Sequence, residues 1–159
     1  MNHWLMKTEP EVFSFEDLIS CPDHTDSWDG IRNYQARNFM RDNFKINDKV
    51  FIYHSRTGEP AIVGIAKVVR TAYPDHTALD PKSKYYDSKS AKLGESRWFM
   101  VDVKAEKKFK NIVTLKQMKE AKELSGMLVT KKGQRLSIQP VEKKHWDIIV
   151  GLGKPQKIT

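Results

Sequence analysis

The densest group of chemically capable side chains is Trp28-Asp-Gly-Ile-Arg-Asn-Tyr-Gln-Ala-Arg-Asn-Phe-Met40, an indole, a phenol, amides and two guanidiniums within thirteen residues. Asp29-Gly30 reads as a tight turn, because glycine takes positive φ without a Cβ clash. Asn33 is suited to cap a helix whose apolar face is Ala36, Phe39 and Met40, spaced i, i+3 and i+4. Trp28 is therefore expected on a loop beside a helix N-terminus, where free N–H groups favour anions. An aromatic surface next to donors for phosphates and base edges is the chemistry of nucleotide recognition. The competing reading is that Trp28 fills the core while Arg32, Arg37 and Arg41 form a solvated helix face.

Other polar and aromatic groups fall at the mouths of candidate strands and helices: Trp4 to Glu9, Tyr53-His54-Ser55, Trp98, and Arg135 to Gln139. Strand ends of a small barrel converge, so these pieces can line one cleft. Trp28 and Tyr34 are the stacking candidates, with Tyr53 and Trp98 as second walls. Asn33, Ser55 and Glu9 would read donor and acceptor edges, a carboxylate being suited to the amino group of cytosine. Lys7, Arg32, Arg37 and Arg135 would hold flanking phosphates. Base–aromatic stacking is worth about 1–3 kcal/mol per base, enough to offset the stacking an extruded base gives up. Taken singly, each aromatic reads more simply as core.

The net charge of +8 is localised. Between Lys104 and Lys144 there are twelve Lys/Arg against four Asp/Glu, which accounts for the whole excess, while the rest of the chain holds sixteen of each. The segment includes Lys107-Lys108-Phe109-Lys110 and Lys131-Lys132-Gly-Gln-Arg135. Such a stripe suits phosphate contact through counterion release, with Lys131 and Lys132 as further phosphate ligands. Lysine-rich surfaces also serve solubility alone. The segment is not one amphipathic helix with aromatic anchors, so a membrane surface is not the expected partner.

Catalytic signatures are missing. His3, His24, His54, His76 and His145 are scattered without HxH, HExxH or cysteine partners. No P-loop, GxSxG or paired-carboxylate spacing occurs, and the acidic stretch Asp23 to Asp29 lacks calcium-loop spacing. No metal and no cofactor is expected. An enzyme reading would cast His54 or Glu9 as general base, which needs reach to a reacting group and a tuned pKa. A chain of 159 residues fits one domain with a buried core. No apolar run approaches the roughly 18 residues of a membrane span, and the N-terminus lacks a signal-peptide pattern. The lone Cys21 cannot form an internal disulfide, so a reducing, cytoplasmic location is expected. A monomer is expected, since nothing suggests a large obligate interface.

These groups need elements to position them. His3 to Met6 reads as a short strand ended at Pro10. Ser14 caps a helix from Phe15 to Ser20, with Asp17 at its third position. Lys49 to His54 reads as a strand, Val50 and Ile52 on one face, Phe51 and Tyr53 on the other. Ala61 to Thr71 is the strongest strand, where Gly64 signals a bulge or a close approach. Residues 73–96 read as a long irregular segment of the kind that is functional or mobile. Arg97 to Phe109 alternates as a strand. Thr114 and Gln117 form a capping box for a helix ending at Ser125-Gly126. Leu136 to Gln139 is a short strand, Glu142 to Val150 a last helix, and the tail beyond is expected to fray. Strands and short helices without βαβ rhythm give an α+β class around a small antiparallel β-barrel.

Several segments resemble the EVE domain: Trp4-Leu-Met-Lys-Thr-Glu-Pro10, Trp28 to Met40, Phe51-Ile-Tyr-His-Ser55 and Ile62-Val-Gly-Ile-Ala66. Ala72-Tyr-Pro-Asp75, Arg97-Trp-Phe-Met-Val-Asp-Val103 and Gly133-Gln-Arg-Leu-Ser-Ile-Gln-Pro140 extend the likeness over nearly the whole chain. The resemblance implies a PUA-like fold, a small β-barrel with flanking short helices, over residues 1–151, with 152–159 as the fraying tail. It also implies an aromatic-lined pocket for a modified nucleobase, of the 5-methylcytosine type in DNA or a modified base in RNA. The family pattern often has serine where this chain has Thr8, which keeps the hydroxyl.

Overall fold

The computed structural model describes residues 1–158, and its organising strand is β1 (His3–Thr8). β1 runs parallel to β3 (Lys49–His54), His3 opposite Lys49 through Thr8 opposite His54, and antiparallel to β6 (Ile138–Pro140). β3 pairs antiparallel with β4 (Ala61–Pro74), and β4 with the long β5 (Phe99–Thr114). The first half of β5 carries β2 (Thr25–Trp28), its second half β7 (Pro155–Lys157). The sheet order is β2-β5-β4-β3-β1-β6. Among the described residues β2 and β6 do not pair, so the expected closed antiparallel barrel is an open mixed sheet. The parallel β1–β3 pair follows from the long crossover between them, which holds α1 (Phe15–Ser20), β2 and α2 (Tyr34–Asn38).

Alternation along the strands divides the apolar side chains between two cores. Trp4, Met6, Val50 and Ile52 face Phe15, Leu18, Trp28 and Met40 on one side. Leu5, Phe51 and Tyr53 face the other, against Met118 of α4 (Leu115–Glu120) and Trp146 and Ile149 of α5 (Lys143–Gly153). Trp146 stacks on Phe51 at 3.7 Å between ring centres. The face shared by Phe51 and Tyr53 was legible in sequence. That α5 covers it was not, and Tyr53, 3% exposed, is core rather than a pocket wall.

The expected capping box of Thr114 with Gln117 forms, and Ser14, expected as an N-cap, forms a second box with Asp17. α4 stops at Glu120 rather than at Ser125, because Ala121 is extended, and short 3-10 turns follow. Residues 73–96 are more ordered than expected: β4 runs to Pro74, a 3-10 turn spans His76–Leu79, and α3 (Ser88–Leu93) follows. The tail through Ile158 is also ordered, since Pro155–Lys157 gains ladder hydrogen bonds from β5. Thr159, the last residue of the expected fraying tail, lies outside the described residues. Gly64 sits where β4 is bulged against β5, and the Phe15 ring occupies the space a Cβ would need, 2.4 Å away.

Candidate functional site

Where β1 and β2 end, the loops after them enclose an open cleft of about 620 Å³. Such a volume suits a small ligand. Its lining draws Lys7, Thr8 and Glu9 from β1 and its end, Val12 and Phe13 from the following turn, and Asp26 to Arg32 from β2 and the turn after it. Lys84, Tyr85 and Ser137 complete it.

Trp28 closes β2 instead of standing on the expected loop, because Thr25–Trp28 pairs with β5. It is 7% exposed within the first core, and it forms a wall of the cleft. The Phe13 ring meets it edge-on, 6.0 Å between centres. Thr8 keeps the family hydroxyl but turns it inward, donating to the Phe13 carbonyl at 2.6 Å and closing the turn that presents Phe13. Across the cleft, Gly30 adopts φ 77°, and the Tyr85 ring lies 2.5 Å from the position of a Cβ there. Only glycine admits that ring so close to the turn.

Asp75 fixes the turn. It is fully buried; one carboxylate oxygen accepts the Gly30 N–H at 2.9 Å and an Arg32 Nη1 proton at 3.0 Å. The other accepts the N–H and hydroxyl of Thr77. Burial alone would raise its pKa, but the hydrogen bonds from Thr77, Gly30 and Arg32 hold it below the usual carboxylate range. Arg32 spends all five N–H donors on Ile31, Asp75, Thr77 and the Tyr85 carbonyl. It is a bracket between the turn and the 75–85 segment, and it has no donor left for a phosphate.

Two titrating groups in the cleft depart from their ordinary values. Burial, then the charges of Asp75 and Asp26, push the Asp29 carboxyl upward. Burial lowers the pKa of the Lys7 ammonium, which donates to the Gln134 carbonyl at 3.2 Å. That bond, with Ser137 in the lining, sets the loop carrying Lys131, Lys132 and Arg135 beside the cleft, all three exposed. Lys131 also donates to the Ser125 carbonyl.

The remaining sequence candidates lie elsewhere. Asn33 caps α2 by accepting the Ala36 N–H at 3.0 Å. Tyr34 and Trp98 stack on each other outside the cleft lining, 4.9 Å apart, and the Trp98 indole N–H donates to Asp87 at 2.8 Å. Arg37 packs beside them and donates to the Arg97 carbonyl. Tyr53 is in the second core, and Ser55 continues the β1–β3 pairing through its N–H to Thr8. Glu9 reaches the cleft rim, where it pairs with Arg56 at 3.2 Å. His54 accepts the Phe15 N–H on Nε2, and burial lowers its pKa. Sequence reasoning missed Phe13, Asp29 as a polar group, Asp75 and Tyr85. Asp29 lay inside the leading motif, and Tyr85 inside the long segment read as functional or mobile.

Comparison with known proteins gives the following. The family model described as EVE domain matches residues 2–152. Thymocyte nuclear protein 1 of Homo sapiens is 41% identical over 169 residues, covering 95% of this chain and 73% of that protein. A crystal structure from Pseudomonas syringae aligns with a TM-score of 0.88 at 44% identity, covering 94% of this chain and 98% of that one. The human THYN1 protein, solved in complex with DNA containing 5-methylcytosine, aligns with a TM-score of 0.86 at 40% identity, covering 98% and 99% of the two chains. These likenesses bear out the α+β, PUA-like expectation, with the sheet open rather than closed. No helix among the described residues is long and apolar enough to cross a membrane.

Proposed function

The chain belongs to the EVE domain family, and from that premise we propose that it is a non-catalytic module that binds DNA and takes a modified cytosine into the cleft. The observation that carries this reading is one concavity lined by Trp28, Phe13, Tyr85 and Asp29, with a cationic loop beside it. A relative of similar fold was solved with DNA containing 5-methylcytosine, which favours DNA as the partner.

The chemistry follows from the lining. Tyr85 and the Trp28–Phe13 wall supply aromatic surface for an extruded base, worth about 1–3 kcal/mol. Asp29 accepts from the cytosine amino group, and its raised pKa lets it also donate, when protonated, to the neighbouring ring nitrogen. Val12 and Phe13 offer apolar contact to a 5-methyl group. Lys84, Lys131, Lys132 and Arg135 supply the charge for flanking phosphates. Binding rather than catalysis is supported by His54, whose Nε2 is already taken by a backbone N–H, and by Glu9, paired at the rim.

Tryptophan-fluorescence titration tests this with matched DNA and RNA oligonucleotides carrying cytosine, 5-methylcytosine or 5-hydroxymethylcytosine, at two salt concentrations. The expected result is tighter binding to one modified DNA, with a preference that survives added salt. Trp28→Ala should abolish that preference. Tyr85→Ala, which leaves the core intact, should reduce it about ten-fold. Equal, salt-sensitive binding to every oligonucleotide would overturn the reading, and preference for the ribose series would move it to RNA, the only strand with a 2′-OH.

A further inference from the structure

Tyr34 is left over from the cleft, and its surroundings are unusual for a surface tyrosine. It is 50% exposed, yet one face is fixed by stacking on the buried Trp98 at an interplanar angle of 26°. Its hydroxyl accepts an Arg97 Nη1 proton at 2.5 Å. The Arg37 and Arg97 guanidinium centres lie 4.7 and 5.6 Å from its ring centre. They also lie 5.8 and 5.2 Å from the Trp98 ring centre. A guanidinium on the far face of Tyr34 would be nearly twice as far from Trp98. Both arginines therefore flank the stack, and the outer face of Tyr34 is open.

The donor inventory separates these arginines from Arg32. Arg37 bonds the Asn38 amide oxygen twice and the Arg97 carbonyl once. Arg97 bonds Asp87 twice and Tyr34 once. A guanidinium has five N–H groups, so each retains two without a partner among the described residues. The partners of Arg37 are uncharged oxygens, so its charge is not compensated by them. An open aromatic face bordered by such donors is the composition of a single-strand stacking site.

The site adjoins the cleft. The Arg32 guanidinium lies 5.6 Å from the Tyr85 ring and 5.5 Å from the Trp98 ring. The order Tyr85, Arg32, Trp98, Tyr34 thus leads from the cleft wall to the open face. One residue, Asn33, separates Arg32 from Tyr34, so the turn at the cleft and the open face are carried by one short segment of chain.

We propose that the outer face of Tyr34 is a second stacking platform, for the base adjacent to the one held in the cleft, with Arg37 and Arg97 binding the phosphate between them. The proposal rests on the cleft holding a base and adds where the strand goes next.

The test uses single-stranded DNA with one 5-methylcytosine and 2-aminopurine immediately 5′ or immediately 3′ of it. The wild type and Tyr34→Phe should quench 2-aminopurine in one of the two oligonucleotides, and Tyr34→Ala should not. Tyr34→Ala should weaken oligonucleotide binding about ten-fold. It should leave the affinity for the nucleoside 5-methyl-2′-deoxycytidine unchanged. Quenching that persists in Tyr34→Ala, or is absent from both wild-type complexes, overturns the platform. So does an equal loss of nucleoside and oligonucleotide affinity, which would make Tyr34 a prop for the cleft. If quenching depends on Tyr34 but 5-methylcytosine binds no better than cytosine, the platform stands and the cleft reading falls.

Discussion

At the scale of single residues, the cleft contrasts two aspartates. Asp75 is buried but meets four donors, and its carboxyl stays below the ordinary range. Asp29 has no such set and is pushed up by burial and by its acidic neighbours. A raised carboxyl pKa means the folded chain binds the proton more tightly than the unfolded chain. Stability therefore falls as pH rises from the ordinary aspartate range, until the Asp29 carboxyl has ionised in the folded chain as well. Asp29→Asn removes that loss, so the variant should melt above the wild type at pH 7. Each kcal/mol recovered is worth about 2–4 °C. The gain should vanish below the ordinary aspartate range, where the carboxyl is protonated in both states. A melting curve in which Asp29→Asn lowers Tm at pH 7 would mean the carboxylate is favourably partnered. Asp29→Ala, which can neither accept nor donate, should lose preference among cytosine forms. A site that retains a costly carboxylate is consistent with use rather than stability.

At the scale of elements, α1 is the piece that links the core to the cleft. The Phe15 ring fills the gap over Gly64, and the turn just before α1 presents Phe13 to the cleft. Gly64→Ala puts a methyl 2.4 Å from that ring and 2.9 Å from the Lys107 carbonyl, so the helix must move. Overpacking of this kind costs about 1–3 kcal/mol. The variant should melt about 2–12 °C lower, and it should weaken ligand binding beyond what Thr8 or Val12 substitutions do. Unchanged melting would show that Phe15 has room to turn away. The sequence carried this element well, since the Ser14 N-cap, the helix from Phe15 to Ser20 and the anomalous glycine were all visible. It carried β2 poorly: Thr25-Asp-Ser-Trp28 follows Pro22 and two residues of positive φ, Asp23 and His24, and becomes a strand only because β5 offers an edge. Tyr53 failed for a similar reason. Its alternation fixes which residues share its face, but the covering helix comes from residues 143–153, about ninety positions away. Tyr34 and Trp98 were singled out separately, as a stacking residue and a second wall, but their stacking on each other was not legible, because the Asp87 carboxylate that accepts the indole N–H lies in a segment without periodicity.

At the scale of the whole molecule, the basic excess read as one stripe is divided by the fold. Lys131, Lys132 and Arg135 stand on the loop that Lys7 and Ser137 join to the cleft. The lysines of β5 go elsewhere. Lys108 pairs with Glu16 of α1, and Lys104 with Asp23. Lys108, Lys110 and Lys157 border a second, smaller hollow with Glu16 and Ile19, which shares no lining residue with the cleft. The exposed acidic residues Glu11, Glu16 and Asp17 lie in and beside α1, so a polyanion held in the cleft would be repelled from that route. A strand following the cleft should therefore feel the 131–135 loop and not β5. Each phosphate neutralised contributes about 0.9 to the slope of log K against log salt on duplex DNA and about 0.7 on single strands. Lys131→Ala/Lys132→Ala should flatten the slope by about 1.4 on single-stranded DNA, weakening modified and unmodified oligonucleotides alike. Lys107→Ala/Lys110→Ala should leave it unchanged, although the two variants remove equal charge. If the β5 variant flattened the slope instead, the backbone would run along β5, and the cleft would have to receive its base from that side.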